Sequence, residues 1–232
     1  MKTIKKIIIK TLPVMAGYIV LGFGFGIISL KNGYGLIWAL AMSLFIYAGS
    51  MQYVTITLLT SGASLITTAI TTLMVNARHL FYGISMIEPY KKSKGYKPYL
   101  IFSLTDETYS LVCTRETVDD IPYHKYCFLI SLFNHIYWII GTLLGVLIGT
   151  LVKFNTQGIE FAMTALFITV FVEQWKTTKN HFPALIGLGA SITCLIIFGT
   201  SNFLIPSMIT IIVLLLLGKK SFEKIEGNND SN

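Results

Sequence analysis

Long apolar runs separated by short polar ones set the pattern of this 232-residue chain. The runs cover about 12–30, 36–60, 63–87, 99–114, 126–152, 158–175, 182–198 and 203–218. A helix that crosses the hydrocarbon core of a bilayer needs roughly 20 apolar residues, and several of these stretches qualify. In lipid a segment must satisfy its own backbone polar groups, so each is expected to be helical. Pro13 suits a first helical turn. Gly33 and Gly35 mark a short turn, and "SGAS" (Ser61–Ser64) a tight hairpin. Pro89–Pro98 and Arg115–Lys125 are the two solvated loops. The pattern predicts an all-α, polytopic membrane helix bundle of 7–8 transmembrane segments. Residues 1–218 are expected to form a single transmembrane domain and 219–232 a short polar tail. The short segment 99–114 carries Thr105, Asp106 and Glu107, and whether it crosses decides between seven and eight.

Composition agrees. Hydrophobic residues make up 53% and charged ones 12%, against roughly 25% charged in soluble domains. The net charge of +7 comes from lysines gathered at segment ends: Lys2, Lys5, Lys6 and Lys10; Lys91, Lys92, Lys94 and Lys97; Lys219, Lys220 and Lys224. Topology signals and contacts to anionic lipid explain that clustering better than nucleic acid does. Either span count puts the C-terminus in the cytoplasm. The lysine-rich start resembles a signal peptide, but its apolar run reaches Leu30 without a small-residue cleavage site, so a retained first helix is expected. Cys113, Cys127 and Cys194 form no CxxC pair, and no metal, cofactor or disulfide framework is expected. "GFGFG" (22–26) and "GTLLGVLIG" (141–149) lie inside apolar runs, where small-xxx-small helix packing is the physical reading.

Charge inside such runs is costly and marks a cavity or a partner. "LMVNARHLFYG" (Leu73–Gly83) places Arg78 well inside a segment, and Asp106 and Glu107 are its nearest intramembrane carboxylates in sequence. Asn76, His79 and Tyr82 share one helix face, and Gly83 would admit a neighbouring helix. His79 suits a proton relay or a structural hydrogen bond. "YAGSMQ" (Tyr47–Gln52) lies mid-segment. Gly49 weakens the helix there, and Ser50 and Gln52 offer donors and acceptors, so a helix break lining a cavity near Gly49 is expected. Glu173 and Gln174 close segment 158–175 and Glu160 opens it. "SLFIYAGSMQ" (Ser43–Gln52) aligns with "ALFITVFVEQ" (Ala165–Gln174), an internal repeat of the kind that places transporter sites near the midplane.

Taken together, "FGFG", "SLFIYAGSMQ", "NARHLFYG", "TDETY" and "FAMTALF…EQ" resemble the AzlC family, large subunits of bacterial branched-chain amino acid exporters. The resemblance runs from about Pro13 to the last helix. Glu173 departs from it, since a neutral residue before the glutamine is common in the family. The resemblance implies an inner-membrane permease that works with a small AzlD-type membrane subunit on an amino acid substrate. Ser50, Gln52, Asn76 and Arg78 are the expected substrate-binding residues. His79, Asp106 and Glu107 are the expected proton-coupling ones, with Tyr47, Gly49, Thr105 and Gln174 as secondary candidates. An intramembrane enzyme or a non-transporting membrane scaffold is the alternative.

Overall fold

In the computed structural model the first apolar run belongs to a longer helix, α1 (Lys2–Lys31). Pro13, expected in its first turn, lies inside it because the lysine-rich start is helical as well. The structure describes residues 2–114, 117–119, 121–151, 180–203 and 209–218, with isolated positions at 161, 168, 171–172, 175–176 and 206–207. The chain divides into two compact units, Met1–Met163 and Thr164–Asn232. No strand occurs among the described residues.

Three long helices frame the first unit: α1, α4 (Leu65–Tyr90) and α7 (Tyr123–Leu151). At 1.5 Å per residue each is about 39–45 Å long, enough for a hydrocarbon core of about 30 Å. Contacts advance together along α1 and α7, which therefore run parallel. Lys10 lies over the Tyr126 ring, Tyr18 packs on Trp138, and Gly149 approaches Leu30. α4 runs the other way, since its last turns place Met86 and Tyr90 in one buried cluster with Ile7 and Tyr126. The Ser64 hydroxyl caps α4 by accepting from the Thr67 amide at 3.1 Å.

The segment 36–60, with its expected break near Gly49, and the segment 99–114 are each folded back on themselves. α2 (Leu36–Phe45) and α3 (Gly49–Thr60) are separate helices. α2 starts beside the C-terminal end of α1, where the Ser29 hydroxyl donates to the Tyr34 carbonyl, and reaches His135 at Tyr47. α3 then returns: the Tyr53 hydroxyl donates to the Leu21 carbonyl at 2.6 Å and its ring lies against Phe25. Gln52 Nε2 donates to Ser43 Oγ at 3.2 Å. In one continuous helix these two residues would lie about 13 Å apart along the axis, so the chain has doubled back.

α5 (Lys97–Phe102) and α6 (Asp106–Val112) do the same from the opposite end. Tyr96 stacks near His124, Phe102 reaches His135, and the Val112 carbonyl accepts from the Tyr123 hydroxyl at 2.8 Å. Entry and exit are thus both beside the start of α7. Short limbs meeting polar partners explain why neither segment needs to cross. A long helix followed by a re-entrant pair occurs twice, α1–α2–α3 and α4–α5–α6, in opposite directions. This inverted repeat differs from the alignment of Ser43–Gln52 with Ala165–Gln174, whose second half lies outside the described residues.

Glycines allow the frame to close. A Cβ on Gly145 would stand 2.1 Å from the Phe23 carbonyl oxygen, and one on Gly26 2.4 Å from that of Thr142. Gly22 and Gly141 meet the facing backbone at 2.8 Å in the same way. These obstacles are main chain, so only glycine fits the crossing. Among the described residues, Lys5, Lys6, Lys10, Lys91, Lys92, Lys97 and Lys125 belong to one end of this unit and Lys31 to the other. At the lysine-rich end Lys6 pairs with Asp119, and the hydrogen bond from Lys6 holds that carboxyl below its ordinary range.

In the second unit, α8 (Phe182–Asn202) bends at Gly199, where φ is 69°, and α9 (Ile209–Gly218) is short and apolar. Trp175 and His181 stack at 4.1 Å beside a cavity of about 520 Å³.

Candidate functional site

The tips of the two re-entrant pairs meet about halfway along the frame. Ile46–Ala48 forms the first tip and Ser103–Thr105 the second, and the Tyr47 and Phe102 rings are 6.2 Å apart. The break therefore precedes Gly49, which opens α3, and Gly49–Gln52 is its first turn rather than the break itself. The Ile46 and Tyr47 amides both donate to the Met42 carbonyl and close α2. Tyr47, not glycine, takes the left-handed conformation, φ 42°. A bulky residue held there costs on the order of 1–3 kcal/mol and persists only where its surroundings fix it. Tyr47 is buried, and its ring lies 4.1 Å from that of His135.

Arg78 reaches this junction from α4. Its Nη1 is 2.7 Å from Asp106 Oδ2, and its Nη2 donates to Ser50 Oγ at 3.0 Å. One guanidinium thus joins α4 to the first turns of both α3 and α6. Thr105 is the N-cap of α6, its hydroxyl accepting from the Thr108 amide at 3.2 Å, a role suited to threonine. Successive residues of a helix point about 100° apart. Asp106 accordingly faces α4, while Glu107 faces α1 and accepts from the Tyr18 hydroxyl at 2.6 Å.

The remaining expected residues divide. Gln52 is fully buried and holds the first re-entrant pair together through Ser43; its Oε1 has no hydrogen-bond partner among the described residues. His79 Nδ1 donates to the Asn76 carbonyl at 3.2 Å, while the buried Asn76 Oδ1 is unpartnered among the described residues. Asn76 and His79 line a groove of about 620 Å³ with Tyr47 and Ala48 of the first tip. Its other walls include Leu73, Leu80, Ile101 and Phe102. Gly83 lines the groove as well and admits no close helix, since nothing lies within 4 Å of a Cβ built on it. Gln174, with Glu160 and Glu173, lies outside the described residues.

The sequence reading missed the face of α7 that receives both tips. Ser131, Asn134, His135, Trp138 and Thr142 are all buried there. Asn134 Nδ2 donates to Thr108 Oγ1 at 3.0 Å, and Thr142 and Ser43 hydroxyls are 2.9 Å apart. A carbonyl can only accept, so His135 Nε2 carries the proton that it gives to the Ser43 carbonyl at 3.0 Å. Its Nδ1 is left to accept from the Tyr99 hydroxyl at 3.1 Å. His135 therefore fastens α2 and α5, one limb from each end, to one helix. The signal was available: polar residues recur at i, i+3, i+4, i+7 and i+11 through "SLFNHIYWIIGT".

A family model described as AzlC protein matches residues 13–152, a stretch that holds both re-entrant pairs and every residue of the junction. The chain is also 43% identical to a Bacillus subtilis (strain 168) protein named branched-chain amino acid transport protein AzlC, over 93% of this chain and 85% of that protein. The chain belongs to the AzlC family. It is similar to an uncharacterized membrane protein of Helicobacter pylori (strain ATCC 700392 / 26695), with 42% identity over 96% of this chain and 98% of that one. It is also similar, more distantly, to the inner membrane protein YgaZ of Escherichia coli (strain K12), 26% identical over 79% of this chain and 78% of that one. No solved structure matches the chain. As a member of the AzlC family the protein is a membrane protein, in keeping with three helices long and apolar enough to cross a bilayer among the described residues.

Proposed function

We propose that the protein is an inner-membrane permease that exports branched-chain amino acids, driven by protons, as the large partner of a small AzlD-type membrane subunit. The observation that carries this reading is the Arg78–Asp106 pair where the two tips meet, beside an apolar groove. A zwitterionic amino acid needs a cation for its carboxylate, an anion or carbonyls for its ammonium, and an apolar wall for its side chain. Arg78, Asp106 and the groove supply one of each. The name of the Bacillus subtilis relative supports the substrate class.

Export against a gradient needs an energy source. The sequence has no phosphate-binding loop for a nucleotide, so an ion gradient remains, with Asp106, Glu107 and His79 as the titratable groups near the substrate. The lysine-rich end of the first unit faces the cytoplasm by the positive-inside rule, which puts the N-terminus there and, from Lys219, Lys220 and Lys224, the C-terminus too.

Inside-out vesicles from cells making this chain and its small partner should accumulate labelled leucine or valine when energised, and lose it when a protonophore is added. Vesicles that contain both subunits and accumulate neither would overturn the reading.

A further inference from the structure

Asp106 and Glu107 are adjacent carboxylates with unlike partners. Asp106 faces a guanidinium at 2.7 Å. Arginine does not give up its proton in proteins, so a neutral Asp106 would take away the carboxylate that this cation faces. No lysine, arginine or histidine stands within ion-pair distance of Glu107 among the described residues. Its Oε2 is held by the hydroxyl of Tyr18 at 2.6 Å, and Tyr18 is 4% exposed. The same hydroxyl lies 2.6 Å from Thr105 Oγ1.

A tyrosine hydroxyl both donates and accepts. When Glu107 is ionised, Tyr18 donates to it, while the Thr105 hydroxyl donates to Thr108 Oγ1 at 3.0 Å. When Glu107 carries a proton, its own O–H can donate to Tyr18, whose hydrogen then turns to Thr105 Oγ1. Neither state requires movement of a heavy atom, and in the protonated one the hydrogens run in one direction from Glu107 through Tyr18 and Thr105 to Thr108. Tyr82 also lies near Asp106, but the guanidinium that Asp106 faces only donates and cannot accept a proton from it.

We propose that Glu107 with Tyr18 is the proton-binding pair of this site, and that Asp106 is a permanent counter-ion to Arg78. The proton enters from water onto a Glu107 carboxylate oxygen and leaves by the same atom. Other groups face Glu107 from each packed element: Tyr18 from α1, Tyr47 from the first tip, Arg78 and Tyr82 from α4, and Asp106 from α6. The α7 group at this depth, His135, is turned to Ser43 and Tyr99. The use of this proton in transport rests on the permease reading; its binding does not.

Infrared difference spectra, acid minus alkaline, of the full chain with its small partner in liposomes separate the two. The wild type should show a protonated-carboxyl band that Glu107→Gln abolishes and Asp106→Asn retains. Tyr18→Phe should move the band to higher frequency, because the hydrogen bond is lost. That shift decides the matter if Asp106→Asn does not fold. On the same vesicles, leucine accumulation by Glu107→Gln should lose the pH dependence seen in the wild type. A band that survives Glu107→Gln, or does not move in Tyr18→Phe, overturns the assignment. Absence of leucine transport by the wild type would sink the permease reading and leave the band as it is.

Discussion

Asp106→Asn should abolish leucine accumulation and lower the stability of the protein by about 3 kcal/mol. Removing one member of a buried ion pair costs about 3–5 kcal/mol, because the other charge is left without compensation. The lower end applies here, since the Arg78 side chain is 31% exposed and that of Asp106 16%. Arg78 also ties Ser50 to the site, so the loss spreads to the first turn of α3. The double variant Arg78→Gln/Asp106→Asn has no stranded charge and should recover most of the stability, yet still not transport. Thermal unfolding in detergent read beside leucine uptake measures both. A double variant as unstable as the single one would mean that the pair is not coupled.

Gly145→Ala should be the most damaging single-methyl change in the frame. The new carbon would stand 2.1 Å from the Phe23 carbonyl oxygen, a main-chain atom that can move only if α1 moves. Overpacking of this kind costs about 1–3 kcal/mol, and moving α1 would also separate Tyr18 from Glu107. Gly17→Ala is the internal control. Nothing lies within 4 Å of its added carbon, and replacing glycine inside a helix gains roughly 0.5–1 kcal/mol. The two should shift the unfolding midpoint in opposite directions. Equal shifts would mean that α1 and α7 do not cross as closely as described.

Much of this was legible in the chain. Apolar runs mark each long helix among the described residues, because a segment surrounded by lipid must be apolar almost throughout. The cost of buried charge singled out Arg78 and its carboxylates before any distance was known. The glycines of α1 and α7 could be recognised as packing devices because no strand preceded them. The re-entrant pairs were not legible. Residues 36–60 are apolar enough to cross, and hydropathy registers composition without direction. What turns the chain at Tyr47 is its burial among His135, Tyr18 and Phe102, which are distant in sequence. The same holds for Glu107, whose partner Tyr18 precedes it by 89 residues.

Two chain segments entering from opposite ends of the frame build the site at their tips. Side-specific labelling tests it most directly, using single cysteines in a chain whose Cys113, Cys127 and Cys194 are replaced by serine. Asn32→Cys and Ser61→Cys flank the first re-entrant pair, and Lys92→Cys and Thr117→Cys the second; all four positions are exposed. A membrane-impermeant thiol reagent should label the first two from the periplasmic side only and the last two from the cytoplasmic side only. Labelling of Asn32→Cys and Ser61→Cys from opposite sides, or of Lys92→Cys and Thr117→Cys from opposite sides, would show that a segment crosses the membrane and that the tips do not meet as a re-entrant pair.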